Sequence, residues 1–143
     1  MLLVSACLAG FPCRYDGKCK PDPQIVELVR QGKALPVCPE TLGGLPTPRL
    51  PAELTASGED VLLGKGHART QSGTDVTQMF IRGAQETLAL CRLYNIRHAI
   101  LKSKSPSCGQ GRIYDGSFSG TLTCGDGVTT ALLKQNGILT EQR

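Results

Sequence analysis

Seven cysteines in a chain of 143 residues are the side chains best able to do chemistry, and three of them share a setting. Cys7 ends the apolar run "LLVSA" (2–6), Cys38 closes "ALPVC" (34–38), and Cys108 lies in "SKSPSCGQG", just beyond "IRHAIL" (96–101). Each run is short, apolar and bounded by turn residues, the pattern of a buried strand. All three thiols are therefore expected just past the carboxyl ends of strands. In open α/β sheets that edge is where ligands bind. Thiols that meet there serve as metal ligands, as a nucleophile or as a redox group.

Missing motifs narrow these options. A structural zinc site usually pairs cysteines about two to four residues apart, and no C-x-x-C occurs here. Cys7, Cys13 and Cys19 recur at a spacing wide for a zinc knuckle, without excluding one. The clustered cysteines of ferredoxin-type carriers are absent, as is the H-x-E with P-C-x-x-C of zinc deaminases. A thiol nucleophile wants a histidine, and His98 lies at the start of its strand, the wrong end for Cys108. Gly10, Gly43, Gly44, Gly109 and Gly111 sit close to the three cysteines. Backbone amides at such glycines can donate to the sulfurs of an iron–sulfur cluster. Three thiolates on a four-iron cluster leave one iron without a protein ligand, an open Lewis-acid position. A zinc module and a redox carrier also remain compatible with the spacing.

The elements that must position these residues follow from periodicity. Strands are expected at 2–6, 34–38 and 96–103, with 138–139 adding a last one. A helix is predicted over 23–31, stopped by Gly32, and a longer one over 75–94, where Val76, Phe80, Ala84, Leu88 and Cys91 recur at helical spacing. Cys91 thus reads as core packing, and Asp75 with Gln78 as a capping box. A final helix opens near Asp126 and closes at Gly137. Pro46, Pro48 and Pro51 make "PETLGGLPTPRLPAE" a stiff connector. Residues 60–71 are expected as a small strand or hairpin, and 109–125 as a Gly/Ser loop. Alternating strands and helices predict an α/β fold: a single domain over 1–143 with a largely parallel sheet flanked by helices, Rossmann-like, its site at the C-terminal edge of the strands.

Composition sets limits. The net charge of +4 suits a small anionic ligand and is too weak and too evenly spread for a nucleic-acid face. Aromatics at 4% with no tryptophan argue against a stacking platform for single strands. "LLVSAC" imitates a lipoprotein cleavage box, but no basic leader precedes Cys7. No run approaches the ~18 apolar residues of a membrane span. A chain of this size buries roughly 70% of its unfolded surface and folds without disulfides, and an odd cysteine count fits reduced thiols in the cytoplasm.

Four segments, "SACLAGFPCRYDG", "VCPETLGGLPTPR", "SKSPSCGQGRIYDGSFSG" and "GDGVTTALL", resemble in order those of the TudS-type thiouracil desulfidases. The likeness covers nearly the whole chain, and its combined motifs, CL-x-G-x-x-x-RYDG, CPE-x-x-GGLP-x-PR and SPSCG, are specific. It implies a [4Fe-4S] cluster on Cys7, Cys38 and Cys108, whose fourth iron takes the sulfur of a thiolated pyrimidine. It further implies non-redox desulfuration of thiouracil or 4-thiouridine 5′-monophosphate to uracil or UMP plus sulfide. Glu40 is then the candidate general base. Ser105 is the candidate hydroxyl on the pyrimidine, with Ser103 and Ser107 as rivals. Arg14, Arg49, Lys102 and Lys104 are candidates for a nucleotide phosphate. Related chains carry a second domain and act on transfer RNA; the expected partner here is a free thiolated base or nucleotide, not RNA or a membrane. The alternative is a non-catalytic zinc or Fe–S binding module, with RNA among its partners. Cys13, Cys19 and Cys124 receive no role, and a ligand from Cys13 would close the open iron.

Overall fold

In chain order the computed structural model, which describes Met1–Arg143, opens with β1 (Leu2–Ser5), a 3₁₀ turn (Ala6–Ala9), α1 (Pro23–Arg30) and β2 (Ala34–Val37). It continues with α2 (Pro39–Leu42), β3 (Ala52–Leu54), α3 (Gly58–Leu62), β4 (Ala68–Thr70) and α4 (Thr77–Leu93). The last part holds β5 (His98–Leu101), β6 (Arg112–Tyr114), β7 (Leu122–Cys124), α5 (Val128–Gln135) and β8 (Leu139–Gln142). The four aliphatic strands pair in parallel in the order β2-β1-β5-β8. Strands β3 with β4, and β6 with β7, form two small antiparallel pairs.

Alternation along the strands separates two cores, because successive side chains leave a strand on opposite faces. Leu3, Ala99 and Leu101 meet Leu88 and Cys91 of α4 and Leu133 of α5. Val4 and Ile100 meet Leu8 and Ile25 on the other face. Burial on both faces is why these strands read as continuous apolar runs. A third cluster, with Leu54, Val61, Phe80, Ile113 and Val128, lies under the antiparallel pairs. No helix is long and apolar enough to cross a membrane.

The sheet, α1, α4 and α5 lie where periodicity puts them, and the local departures have local causes. The long helix starts at Thr77 without the expected capping box. The Asp75 carboxylate accepts instead from the Thr77 amide at 2.9 Å and its hydroxyl at 2.5 Å, an Asx turn that competes with the longer reach to Gln78. The segment expected as a small strand or hairpin at 60–71 holds one small strand, β4, preceded by the end of α3. Ser57 starts α3 by accepting from the Asp60 amide at 3.2 Å, and β4 takes β3 as its partner. The 109–125 loop contains the β6–β7 hairpin.

The short helix α2, which follows Cys38 directly, rests on α4 with almost no space between backbones. A Cβ at Gly83 would stand 2.0 Å from the Pro39 carbonyl oxygen, and one at Gly43 would stand 2.0 Å from that of Met79. Propensity alone makes Gly83→Ala stabilising by about 1 kcal/mol in a helix interior. The clash should reverse the sign, lowering the unfolding free energy by roughly 1–3 kcal/mol. Urea denaturation reads this directly, and a stabilised variant would contradict the close approach.

Candidate metal centre and active site

The order of the sheet reverses at β1, with β2 on one side and β5 on the other. A crevice opens at such a switch point, beyond the strand ends. Here it is a cavity of about 560 Å³, within the usual range for small-molecule sites. Its wall includes Cys7 from the 3₁₀ turn after β1, Cys38 and Glu40 from the β2–α2 junction, and Ser105 and Cys108 from the loop after β5. The sheet edge is tied across by the Lys102 amide, which donates to Ser5 Oγ at 2.9 Å. The three cysteines that sequence singled out are thus brought to one place.

A fourth thiol joins them. The Cys38 thiol donates to the Cys13 carbonyl at 3.8 Å, and the Cys13 side chain lies close enough to those of Cys7 and Cys38 to shift the pKa of each. The hydrogen bond from Cys13 lowers the Cys7 pKa, against burial and the repulsion of Cys108 and Cys38. Cys13 gains from Cys38 less than it loses by donating to Cys7 and by burial, and is raised to about 11. Donation to Cys13, then burial, pushes the Cys38 thiol far up. Burial pushes Cys108 up to about 12, helped by repulsion from Cys38 and Glu40. Thiolates at these positions would repel one another, so the set is built to meet positive charge. No three His, Cys, Asp or Glu side chains are spaced to hold a single metal ion. Cys91 is buried in the sheet core and Cys124 is exposed, both away from the cavity.

The glycine amides do not fill the role expected of them. Gly10, Gly43, Gly44 and Gly109 donate to the carbonyls of Cys7, Pro39, Thr41 and Ser105, and Gly111 donates to Asp126. Local turns consume these donors before any sulfur is reached. Positive charge near the thiols comes from side chains instead: Arg14, Lys20, Lys102 and Lys104 all line the cavity. Arg14 has a loose 4.0 Å contact with Asp16, and none of the three lysines is in an ion pair. Burial lowers the Lys102 pKa, and Lys20, Arg14 and Lys104 lower it further.

Glu40 lines the same wall with its side chain 17% exposed. Burial raises its pKa, and the Arg49 guanidinium 3.4 Å away opposes the rise. Arg49, expected as a phosphate ligand, is spent inside the protein. One terminal nitrogen donates to the Pro46 carbonyl and Thr47 Oγ1, both at 3.1 Å. The other donates to the Cys13 carbonyl at 3.0 Å and faces Glu40. The proline-rich connector thereby anchors the Cys13 loop and the carboxylate together.

The three serines separate. Ser105 Oγ accepts from the amides of Ser107 and Cys108 at 3.1 and 3.0 Å. Both lone pairs are then used, and its proton is left to donate into the cavity. Ser103 lines the cavity and accepts from Lys102 Nζ at 3.2 Å. Ser107, expected as a rival substrate contact, is buried with its hydroxyl 2.8 Å from that of Thr129 and does not line the cavity. The turn that aims Ser105 inward aims Ser107 at α5. Among the lining residues that sequence reasoning passed over are Lys20, Glu53, Tyr114 and Phe118. The only signal for the last two was an aromatic pair in "IYDGSFSG", inside a stretch read as loop.

Comparison with known proteins places the chain in a family. The family model described as 2-thiouracil desulfurase matches residues 2–142. The uncharacterized protein YbbK of Bacillus subtilis (strain 168) is 51% identical over 138 residues, spanning 96% of this chain and 91% of that protein. A solved structure named as the [4Fe-4S]-dependent thiouracil desulfidase TudS superposes with a TM-score of 0.88 at 49% identity, covering 99% of this chain and 89% of its own. Matched by the family model over nearly its whole length and by a solved structure at 49% identity, the chain belongs to the 2-thiouracil desulfurase family.

Proposed function

We propose that this protein removes sulfur from a thiolated pyrimidine, thiouracil or 4-thiouridine 5′-monophosphate, by hydrolysis, using a [4Fe-4S] cluster on Cys7, Cys38 and Cys108. The observation that carries the reading is the convergence of these far-separated thiols on one cavity wall beside Glu40. The family and the cluster named for the TudS structure support it. The donor set fits the group: three sulfurs from three loops on one wall, whose thiolates would repel one another without positive charge between them.

Bound there, the cluster supplies a Lewis-acidic iron that polarises the thiocarbonyl and exposes its ring carbon to water. Glu40, ionised, takes a proton from that water as it attacks. Arg49 engages Oε1 of the carboxylate and leaves the other oxygen for the proton. Ser105 donates its hydroxyl hydrogen to the base, since both of its lone pairs are occupied by amides. The C–S bond breaks, the ring keeps the oxygen of water, and sulfide departs with the protons removed from it. No electron is exchanged. Lys20, Lys102 and Lys104, with the loosely paired Arg14, offer the positive charge that a nucleotide phosphate requires. The same charge offsets the thiolates.

Anaerobic reconstitution with iron and sulfide tests the ligand set. Cys7→Ala, Cys38→Ala and Cys108→Ala should each lose the iron and its broad visible absorbance, while Cys91→Ala keeps both. A Cys108→Ala protein with its full iron complement would remove the assignment. Wild-type protein should bleach the thiocarbonyl absorbance and release sulfide with no reductant present; a stoichiometric need for reductant contradicts hydrolysis.

The buried carboxylate gives a pH test. A base works only when deprotonated, and the Glu40 pKa is raised. Turnover should therefore fall on acidification at a pH above the ordinary glutamate value of about 4.3. Glu40→Gln should retain the cluster, lower kcat by roughly 10²–10⁴-fold and abolish this acid limb. An unchanged limb in the variant would assign it to another group.

A further inference from the structure

The chain has three phenylalanines and three tyrosines, and Tyr15, Tyr114 and Phe118 line the cavity. None of the polar groups above addresses the faces of a flat ring. The thiols and Glu40 act at one carbon and its sulfur, Ser105 at an edge, and the cations at a phosphate. The two π-faces of a pyrimidine still need an apolar partner.

The β6–β7 hairpin supplies one and fixes it. Phe118, half-buried at the cavity, has φ +55. This left-handed conformation is uncommon for a residue with a Cβ, costs about 1–3 kcal/mol and persists only where the surroundings impose it. The imposing group is Glu53 of β3. Its Oε1 accepts from the amides of Gly116 at 3.0 Å and Phe118 at 3.2 Å. Gly116 lies against β3 so closely, at φ +91, that a Cβ there would stand 2.8 Å from the Leu54 carbonyl oxygen. Asp115 closes the turn by accepting from the Ser117 amide at 3.0 Å. On its other flank the hairpin is bridged to the cysteine loop, Ile113 pairing with Lys104. An exposed hairpin tip needs no such clamp for stability alone, because nothing is gained by holding a strained aromatic residue beside an open cavity.

We propose that Phe118 is the stacking wall for the pyrimidine ring, selecting a planar aromatic base, and that Glu53 is its positioning residue. The ligand class rests on the proposed desulfuration. Base–aromatic stacking depends on the π-face and tolerates changes at the ring edge, so the wall accepts bases with sulfur at either position. A saturated ring keeps the polar edge and loses the flat face.

The test is equilibrium binding of uracil and 5,6-dihydrouracil to the reconstituted holoenzyme by calorimetry. Wild-type protein should prefer uracil about tenfold, within the range base stacking supplies. Phe118→Leu, similar in bulk, should weaken uracil binding by about that factor and bring the ratio near one. Phe118→Tyr should restore it, and Glu53→Ala, which removes the acceptor of both amides, should reduce the ratio partway while the cluster absorbance stays unchanged. A wild-type protein that does not discriminate, a Phe118→Leu variant with the wild-type ratio, or a Phe118→Tyr variant without it each overturns the proposal. An unchanged ratio in Glu53→Ala overturns the positioning role. A holoenzyme that keeps the discrimination but releases no sulfide from thiouracil removes the reaction and leaves the wall standing.

Discussion

The level of three strand ends governs this molecule. Ser5 pairs with Val37 and Val4 with Ile100 in parallel register, so β1, β2 and β5 finish at one edge. The chain then delivers Cys7 from a tight turn and Cys38 from the residue next to Val37. Cys108 arrives through the loop after β5, whose first amide is bound to Ser5. A one-residue slip would send every side chain of a strand to the opposite face. Leu3 and Val4 would exchange cores, and the sheet could not close. The apolar alternation that specifies the fold therefore also sets where the sulfurs meet, with no separate cost for placing them.

Charge is the harder problem at that edge, because four thiols and a carboxylate share one partly buried wall. Backbone amides would be the cheapest counterweight, and they are already committed to local turns. The chain uses long cations at the rim and one guanidinium in the interior. Arg49 is 6% exposed, and desolvating such a pair rarely adds stability. Its value is geometric: one planar fork fixes the Glu40 carboxylate, the Cys13 carbonyl and the Pro46–Thr47 turn relative to one another. The Glu40–Arg49 pair links the acid to the thiol loop more firmly than a hydrocarbon of equal size would.

What sequence could and could not foretell divides by the range of the forces involved. β1, β2, β5, α1, α4 and α5 are long enough, or apolar enough, for periodicity to declare them. Cys7, Cys38 and Cys108 were legible because position beyond a strand end is a topological property. The elements α2, α3, β6 and β7 have three to five residues each, too few for a period, and depend on tertiary partners. Arg49 looked like a free cation because two of its four partners are backbone carbonyls, which no composition reveals. Ser105 and Ser107 are alike in the motif; only the turn, completed by Thr129 and Thr130 on α5, decides which faces the cavity. Cys13 meets Cys7 and Cys38 because its loop folds back, with the Lys20 amide returning to the Cys7 carbonyl.

Two separately packed parts of the molecule form the cavity, and their alignment needs a mechanical explanation. The thiols come from the parallel sheet, while Glu53, Tyr114 and Phe118 come from the antiparallel pairs above the third core. Two helices have a foot in each. In α4, Phe80 and Ala84 belong to the third core and Leu88 and Cys91 to the sheet core; in α5, Val128 and Leu133 divide in the same way. A helix is stiff over so few turns, so burying both ends of α4 and α5 fixes one half of the cavity against the other. The short helix α2, pressed onto α4 at Gly43 and Gly83, places Glu40 against the same member. Any displacement of the aromatic side from the sulfur side must therefore break close packing in two cores at once, which keeps ring and thiol walls at a constant separation.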